Sequence, residues 1–266
     1  MRDKKTENGN DHSSSSHREV RIDLHCHSIY SRDSILDLPT IVTRARELEL
    51  FGVAITDHDR LPPSGVLERY SDQILLIPGI EVSTSGGHLL AFGIQTTPPK
   101  ARSLSETIDF VRGQGGIPIF SHPYRMGDGV GTGDIEGHPK VLFEGLNGRS
   151  WMRYNQRSLS IGERLGRHMT GGSDAHDPTD IGRAWTVFPD DVQDVVDIFE
   201  ALHKGTVQPG GAGLSFPQLV RSKAMGTVRW TNHYLGRGSD ESTHIPQNDQ
   251  VASQGEQDAE DREGDQ

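Results

Sequence analysis

The stretch RIDLHCHSIYSRDS places His25 and His27 one residue apart at the end of an apolar run, with Asp33 six positions further on. Imidazoles and carboxylates at such spacing bind borderline divalent cations or carry protons near neutral pH. On a strand, side chains alternate faces. Asp23, His25 and His27 then share one face, while Ile22, Leu24 and Cys26 share the other. Two imidazoles about 7 Å apart along a strand can converge on one cation, or stand as a plain pair on a half-exposed surface. The alternation turns Cys26, the only cysteine, away from both histidines and into packing.

Ligand types recur further along the chain. Asp57 and His58 in AITDHD, Glu81 in PGIEVS and Ser121 and His122 in IFSHPYR each follow a short apolar run. So do Glu144 in LFEGLN and Asp174 and His176 in GGSDAH. The runs are expected strands, at 20–26, 53–56, 74–82, 89–94, 117–120, 141–146 and 169–172. Helical patterns lie between them. One runs from Asp37–Pro39 to Leu50, with Ile41, Ala45 and Leu48 at helical spacing. Another opens on a capping box, Ser103 with Glu106, and stops at GQGG. A third spans Asp191 to His203 with Val192, Val195, Val196 and Phe199 as its stripe. Seven strands alternating with helices predict a parallel α/β architecture, in which chemistry collects where strands end. Nearly every expected strand ends in a metal-ligand type, a series that scattered core histidines do not produce.

The pieces DLHCHSIYSRD, ITDHD, GIEVS, SHPYR and GSDAH, in that order over roughly residues 20–190, resemble the PHP family, named for polymerase-associated and histidinol-phosphatase domains. The resemblance implies an α/β fold: a distorted seven-stranded (β/α) TIM-like barrel with a metal site at the strand C-termini. It also implies metal-dependent phosphoester hydrolysis with two or three divalent ions. Carried over by position, His25, His27, Glu81 and Asp174 hold the first ion. Glu81 bridges to a second, which His122 also binds, and Asp33, His58 and His176 hold the third. His88 in GGHLLAFG is the only histidine between Glu81 and His122, and stands there either as a further ligand or as a neighbour that orients one.

Mixed imidazole and carboxylate donors suit Zn, Mn or Fe better than Ca or Mg. Asp33, Glu81 and Asp174 offset only half the charge of three divalent ions, leaving a pocket that attracts a phosphate dianion. Paired ions acidify a bridging water and clamp the oxygens of an in-line displacement. Arg125 in SHPYR and Arg183 in IGRAW follow ligand positions closely. They are the candidate catalytic groups, forking onto phosphate oxygens, with surface ion pairs as the alternative. Asp23 and Asp57 flank ligands and are expected to orient imidazoles. Glu144 and Asn147 either touch substrate or fix the rim, while His138, His203 and His233 lack a ligand-like setting.

Composition narrows the partners. The formal charge of −11 opposes binding to long nucleic acid, so the expected partner is a small phosphorylated substrate or a short oligonucleotide. With 32% hydrophobic residues and a mean hydropathy of −0.58, no membrane span is expected. The N-terminal stretch lacks the apolar core of a signal peptide, and the lone cysteine fits a reducing compartment, so the expected location is cytoplasmic. The oligomeric state is left open. The expected organisation is a disordered segment over 1–19, a PHP domain over 20–205, a PHP-associated appendage over 206–238 and an acidic disordered tail over 239–266.

Glu81 and His122 stand too close in sequence for a capping insertion between them. RMGDGVGTGDIEGHPK, after SHPYR, reads as a flap or an ordinary surface loop. The expected activity is hydrolysis of a small phosphomonoester or short nucleotide by metal-activated hydroxide. The alternatives are a 3′–5′ exonuclease on short single strands and a non-catalytic partner module.

Overall fold

A computed structural model describes residues 19–222. The expected N-terminal segment up to residue 18, the appendage beyond Ser222, the acidic tail and His233 lie outside the described residues. The strands are β1 (Val20–Cys26), β2 (Gly52–Ile55), β3 (Leu75–Thr84), β4 (Gly87–Phe92), β5 (Ile117–Phe120), β6 (Leu142–Asn147), β7 (Met169–Gly172), β8 (Ala184–Phe188) and β9 (Gln208–Gly211). The helices are α1 (Leu38–Glu47), α2 (Leu104–Gly113), α3 (Thr132–Gly137), α4 (Met152–Leu165) and α5 (Val195–Lys204).

The strands form one nine-stranded sheet in the order β7-β6-β5-β4-β3-β2-β1-β8-β9. The expected count of seven is thus exceeded by β8 and β9, and the sheet is mixed rather than parallel. β3 and β4 are joined by only two residues, a connection that forces an antiparallel hairpin, and β4 also runs antiparallel to β5. β8 lies antiparallel to β1 on one side and to β9 on the other. The sheet continues past residue 205 through β9, and Leu214 bridges to Trp151.

The sheet curls until β7 and the segment after it meet β1, giving a nearly closed barrel. Asp174 N–H donates to His25 O (2.7 Å), and His27 N–H donates to Ala175 O (3.0 Å). Thr186 Oγ1 accepts from Gly171 N–H (2.9 Å) and donates to Gly171 O (2.8 Å), tying β7 to β8. Two glycines allow this approach. A Cβ on Gly172 would lie 2.4 Å from His25 Cβ, and one on Gly171 would lie 2.3 Å from Trp185 O. Asp23, buried beside them, accepts N–H bonds from Ser173 (2.8 Å) and Gly182 (3.1 Å) and completes the seam.

Helices cover the barrel where apolar side chains emerge. α1 opens with Asp37 accepting from Thr40 N–H and buries Ile41, Val42 and Ala45 against Cys26, Val53 and Ile55. It ends at Glu47, short of the expected Leu50, because Glu49 turns into the left-handed region (φ 54°). α2 carries the expected capping box and buries Leu104, Ile108 and Val111 against Ile80, Ala91 and Phe120. α5 starts at Val195 rather than near Asp191, since Asp194 is the residue that caps it. Its Ile198, Ala201 and Leu202 join Ile22, Leu24, Ile77, Phe92 and Ile119 in a second part of the core.

α4 was not expected. Its buried face is Asn155, Ser158, Ile161 and Gly162, which carries little apolar periodicity. Small residues suit the place: a Cβ on Gly162 would meet Met169 Sδ. The glycine-rich stretch after SHPYR contains α3, with Ile135 buried.

Candidate metal centre

β1 pairs irregularly with β2 between Asp23 and Cys26, and from this segment His25 and His27 turn their Nε2 atoms to within 3.1 Å of each other. Glu81 on β3 brings Oε2 to 3.4 Å from His25 Nε2 and 3.2 Å from His27 Nε2. Asp174, just beyond β7, brings Oδ1 to 3.7 and 3.4 Å from the same two nitrogens. All four side chains are buried. Ligands bonded at about 2.0–2.1 Å to a tetrahedral ion stand about 3.3 Å apart, and the observed separations bracket that value. Glu81 Oε2 is buried without any hydrogen-bond partner, an unsatisfied state that a cation would relieve. The donor set therefore fits a divalent ion.

The other expected ligands flank this core. Asp33 Oδ2 lies 2.9 Å from His176 Nε2 and 3.5 Å from His58 Nε2, and with His27 these donors all fall within 4.8 Å of one another. On the opposite side, Glu81 Oε1 lies 2.7 Å from His122 Nε2 and 3.1 Å from His88 Nδ1. His88 thus enters the cluster from β4, opposite Ser83 of β3. The structure brings every expected ligand residue into one connected group. His138, in contrast, bonds Ser105 and Asp134 on the surface.

The groups that hold these imidazoles are partly other than expected. Asp23 touches no imidazole; its oxygens are taken by backbone N–H groups of His25, Ser173 and Gly182. Glu144 takes the role instead. Its Oε1 lies 3.0 Å from His25 Nδ1, and its Oε2 accepts from His122 N–H (2.6 Å) and Asn147 Nδ2 (2.9 Å). Glu144 and Asn147 are therefore buried supports and not rim groups. Asp57 acts through an intermediary: it accepts from Ser31 Oγ (2.8 Å), which lies 3.1 Å from His27 Nδ1 and receives His58 N–H (3.0 Å). Ser31 had no signal of its own, being one of the serines within the first motif. His122 and Asp174 both sit at positive φ, 29° and 55°, as backbone held under strain at functional positions does.

Burial and charge oppose each other throughout. Burial works against charge on His25, yet Asp174, Glu144 and Glu81 hold its pKa well above the usual imidazole value. His27 is likewise desolvated, but the adjacent carboxylates of Asp174 and Glu81 raise it to about 9. Burial works against the carboxylates too, but the histidines and Arg125 hold Asp174 well below the usual range, and His25 and His122 hold Glu81 there. His176 is pushed down to about 4 by burial and by His27. Anionic carboxylates thus face imidazoles across a buried pocket. Cys26 is buried in the α1 contact, with its thiol pushed well above its usual pKa by desolvation.

Arg125 forks onto Asp128, Nε to Oδ1 at 2.8 Å and Nη2 to Oδ2 at 3.0 Å, and its Nη1 reaches Asp174 Oδ2 at 2.5 Å. Arg183 donates to Asp180 Oδ1 at 3.2 Å, and its buried Nε has no partner. Asp128 went unnoticed in the sequence because it lies in a glycine-rich stretch without an apolar strand before it.

The family model described as PHP domain matches residues 23–111, and that described as PHP-associated matches residues 152–207. Two uncharacterized proteins of Methanocaldococcus jannaschii are similar in sequence. One is 27% identical over 44% of this chain and 79% of its own length; the other is 25% identical over 64% and 70%. Among solved structures, a two-domain protein from Bacteroides vulgatus containing a predicted PHP-like metal-dependent phosphoesterase superposes with a TM-score of 0.58 at 21% identity. That match covers 73% of this chain and 65% of the Bacteroides chain, so this chain spans about two thirds of that relative. PsfC from Pseudomonas syringae gives 0.59 at 17% identity, covering 80% of this chain and 98% of its own. The lesion-specific endonuclease PfuEndoQ from Pyrococcus furiosus gives 0.50 at 19% identity, covering 72% and 57%. At these identities the structures attest the fold, a PHP-type barrel. The chain therefore carries a PHP domain over residues 23–111 and a PHP-associated segment over residues 152–207, on a PHP-type barrel.

Proposed function

We propose that this protein is a metal-dependent phosphoesterase that hydrolyses a small phosphomonoester or a short nucleotide, with two or three divalent ions (Zn, Mn or Fe) held by His25, His27, Asp33, His58, Glu81, His88, His122, Asp174 and His176. The observation that carries the reading is the set of buried donors, 3.1 to 3.7 Å apart, around the unpartnered Glu81 Oε2. Paired divalent ions bound there supply an acidified water and a cationic clamp on phosphate oxygens.

The chain's own groups do the rest. Glu81 stands between two groups of donors, with Oε2 facing His25, His27 and His58 and Oε1 facing His88 and His122. Glu144 and Ser31 fix the rings of His25 and His27 through their Nδ1 atoms, leaving both Nε2 atoms turned inward. Asp33 and His58 form the wetter side, 47% and 28% exposed, by which a substrate enters. Arg183, bonded through Nη2 to Asp180 Oδ1, is the other group proposed to take a phosphate oxygen. Arg125 holds Asp174 and contacts phosphate only on exchange from Asp128. The acidic surface favours a small, metal-neutralised substrate over a long polyanion. The lone buried cysteine fits work in a reducing cytoplasm.

The test is an assay panel of phosphomonoesters and labelled oligonucleotides with added Mn²⁺. Orthophosphate release from small esters supports the proposal. Stepwise nucleotide release from oligonucleotides alone replaces it with the 3′–5′ exonuclease. Bound metal with neither activity moves it to another substrate class, and failure to take up metal leaves the non-catalytic module.

A further inference from the structure

His122 presents both ring nitrogens to carboxylates. Its Nε2 lies 2.7 Å from Glu81 Oε1, while its Nδ1 is buried, has no hydrogen-bond partner and points towards Asp128 Oδ1 at 3.7 Å. With Nε2 donating to Glu81, Nδ1 keeps its lone pair, the pattern by which a carboxylate fixes a metal-ligating histidine. His88 completes the setting: one donor atom each from His88, His122 and Asp128 lie within 4.8 Å of one another.

The loop is built to keep Asp128 there. Asp128 O accepts from His88 N–H (2.9 Å), anchoring the loop to β4. The turn is too tight for a side chain at Gly129, where a Cβ would lie 2.4 Å from Arg125 N and 2.6 Å from His122 O. Arg125 then grips both carboxylate oxygens of Asp128 and also reaches Asp174. Such a bidentate fork sets the direction of a carboxylate as well as its position. Asp128 remains 32% exposed and His88 19%, so an ion and its waters can reach the place from solvent.

We propose that His88, His122 and Asp128 form a divalent-cation site on the side of His122 turned away from Glu81, with Arg125 as the positioning residue for its carboxylate. The inference rests on the metal-dependent reading above and adds Asp128, a ligand outside the resemblance-derived set.

The experiment is metal counting on full-length protein, stripped by chelator, reloaded with Zn²⁺ and desalted, for wild type, Asp128→Asn, Asp128→Ala and His25→Ala. Circular dichroism of the stripped proteins establishes that each variant folds. Both Asp128 variants are expected to hold one ion fewer per chain than wild type, or to bind one ion at least 10-fold more weakly in a Zn²⁺ titration. Arg125→Lys, which loses the fork, is expected to weaken the same ion. Equal stoichiometry and affinity in wild type and both Asp128 variants would overturn this inference alone. Wild type that takes up no metal would overturn the metal-dependent reading itself, and the loss in His25→Ala identifies the inner ion separately.

Discussion

At the residue scale, the site is a set of imidazoles held by buried groups outside the candidate ligand set. Glu144 is the clearest of these, accepting from His25 on one oxygen and from His122 N–H and Asn147 on the other. Glu144→Gln puts an amide N–H where an acceptor is required. It is expected to weaken metal binding by about 10–100-fold, measured by titration with a chromophoric chelator competitor. Unchanged affinity would remove Glu144 from the support. Ser31→Ala breaks the link between Asp57 and His27 and is expected to act in the same direction with a smaller effect. Most of the candidate ligands were legible because they stand at or just past strand ends in recognisable motifs, whereas His88, near the start of β4, was legible only as the one histidine between Glu81 and His122. The supports were less so. Asp23 and Glu144 are both buried carboxylates near β-strand histidines, and only the closure of the sheet decides which faces backbone and which faces an imidazole.

At the element scale, the site depends on β7 meeting β1. Gly172→Ala pushes a methyl group into His25 and is expected to destabilise the fold by about 2 kcal/mol or more, read from denaturant unfolding, with loss of metal binding. Gly133→Ala, in α3 with open space around its Cβ, is the control and is expected to be neutral or stabilising by up to about 1 kcal/mol. Ser103→Ala removes the α2 cap and is expected to cost about 1 kcal/mol. The first seven strands and three of the helices were readable from apolar runs, caps and glycine stops. β8 and β9 were not: β9, QPGG, has no strand-like composition and exists because β8 offers it an edge. α4 escaped because it packs through Asn155, Ser158 and Gly162, where closeness and not hydrophobicity decides the contact. The antiparallel turn of β4 was hidden because the apolar runs stop at 82 and resume at 89, whereas the strands run on through polar residues to Thr84 and from Gly87, leaving a two-residue turn.

At the scale of the whole molecule, a pocket of carboxylates and histidines sits in the mouth of an acidic, nearly closed barrel. No helix among the described residues is long and apolar enough to cross a membrane. An ion held by His25, His27, Glu81 and Asp174 would tie β1 and β3 to the segment after β7, so its binding would be linked to folding. At free metal about 1,000 times the dissociation constant, linkage supplies about 4 kcal/mol. That corresponds to a rise in Tm of roughly 8 °C or more for a chain of this size. Chelation should reverse it, and a Tm indifferent to chelator and metal would contradict the placement of ions in the seam.

The most direct test of the central claim is phosphate release from a small phosphomonoester by wild-type protein and by His25→Ala and Asp174→Ala, with and without added metal, alongside metal content and circular dichroism. The account predicts metal-dependent release by wild type, and folded variants that bind less metal and release none. Full activity in either variant, or wild-type activity that survives complete removal of metal, would contradict it.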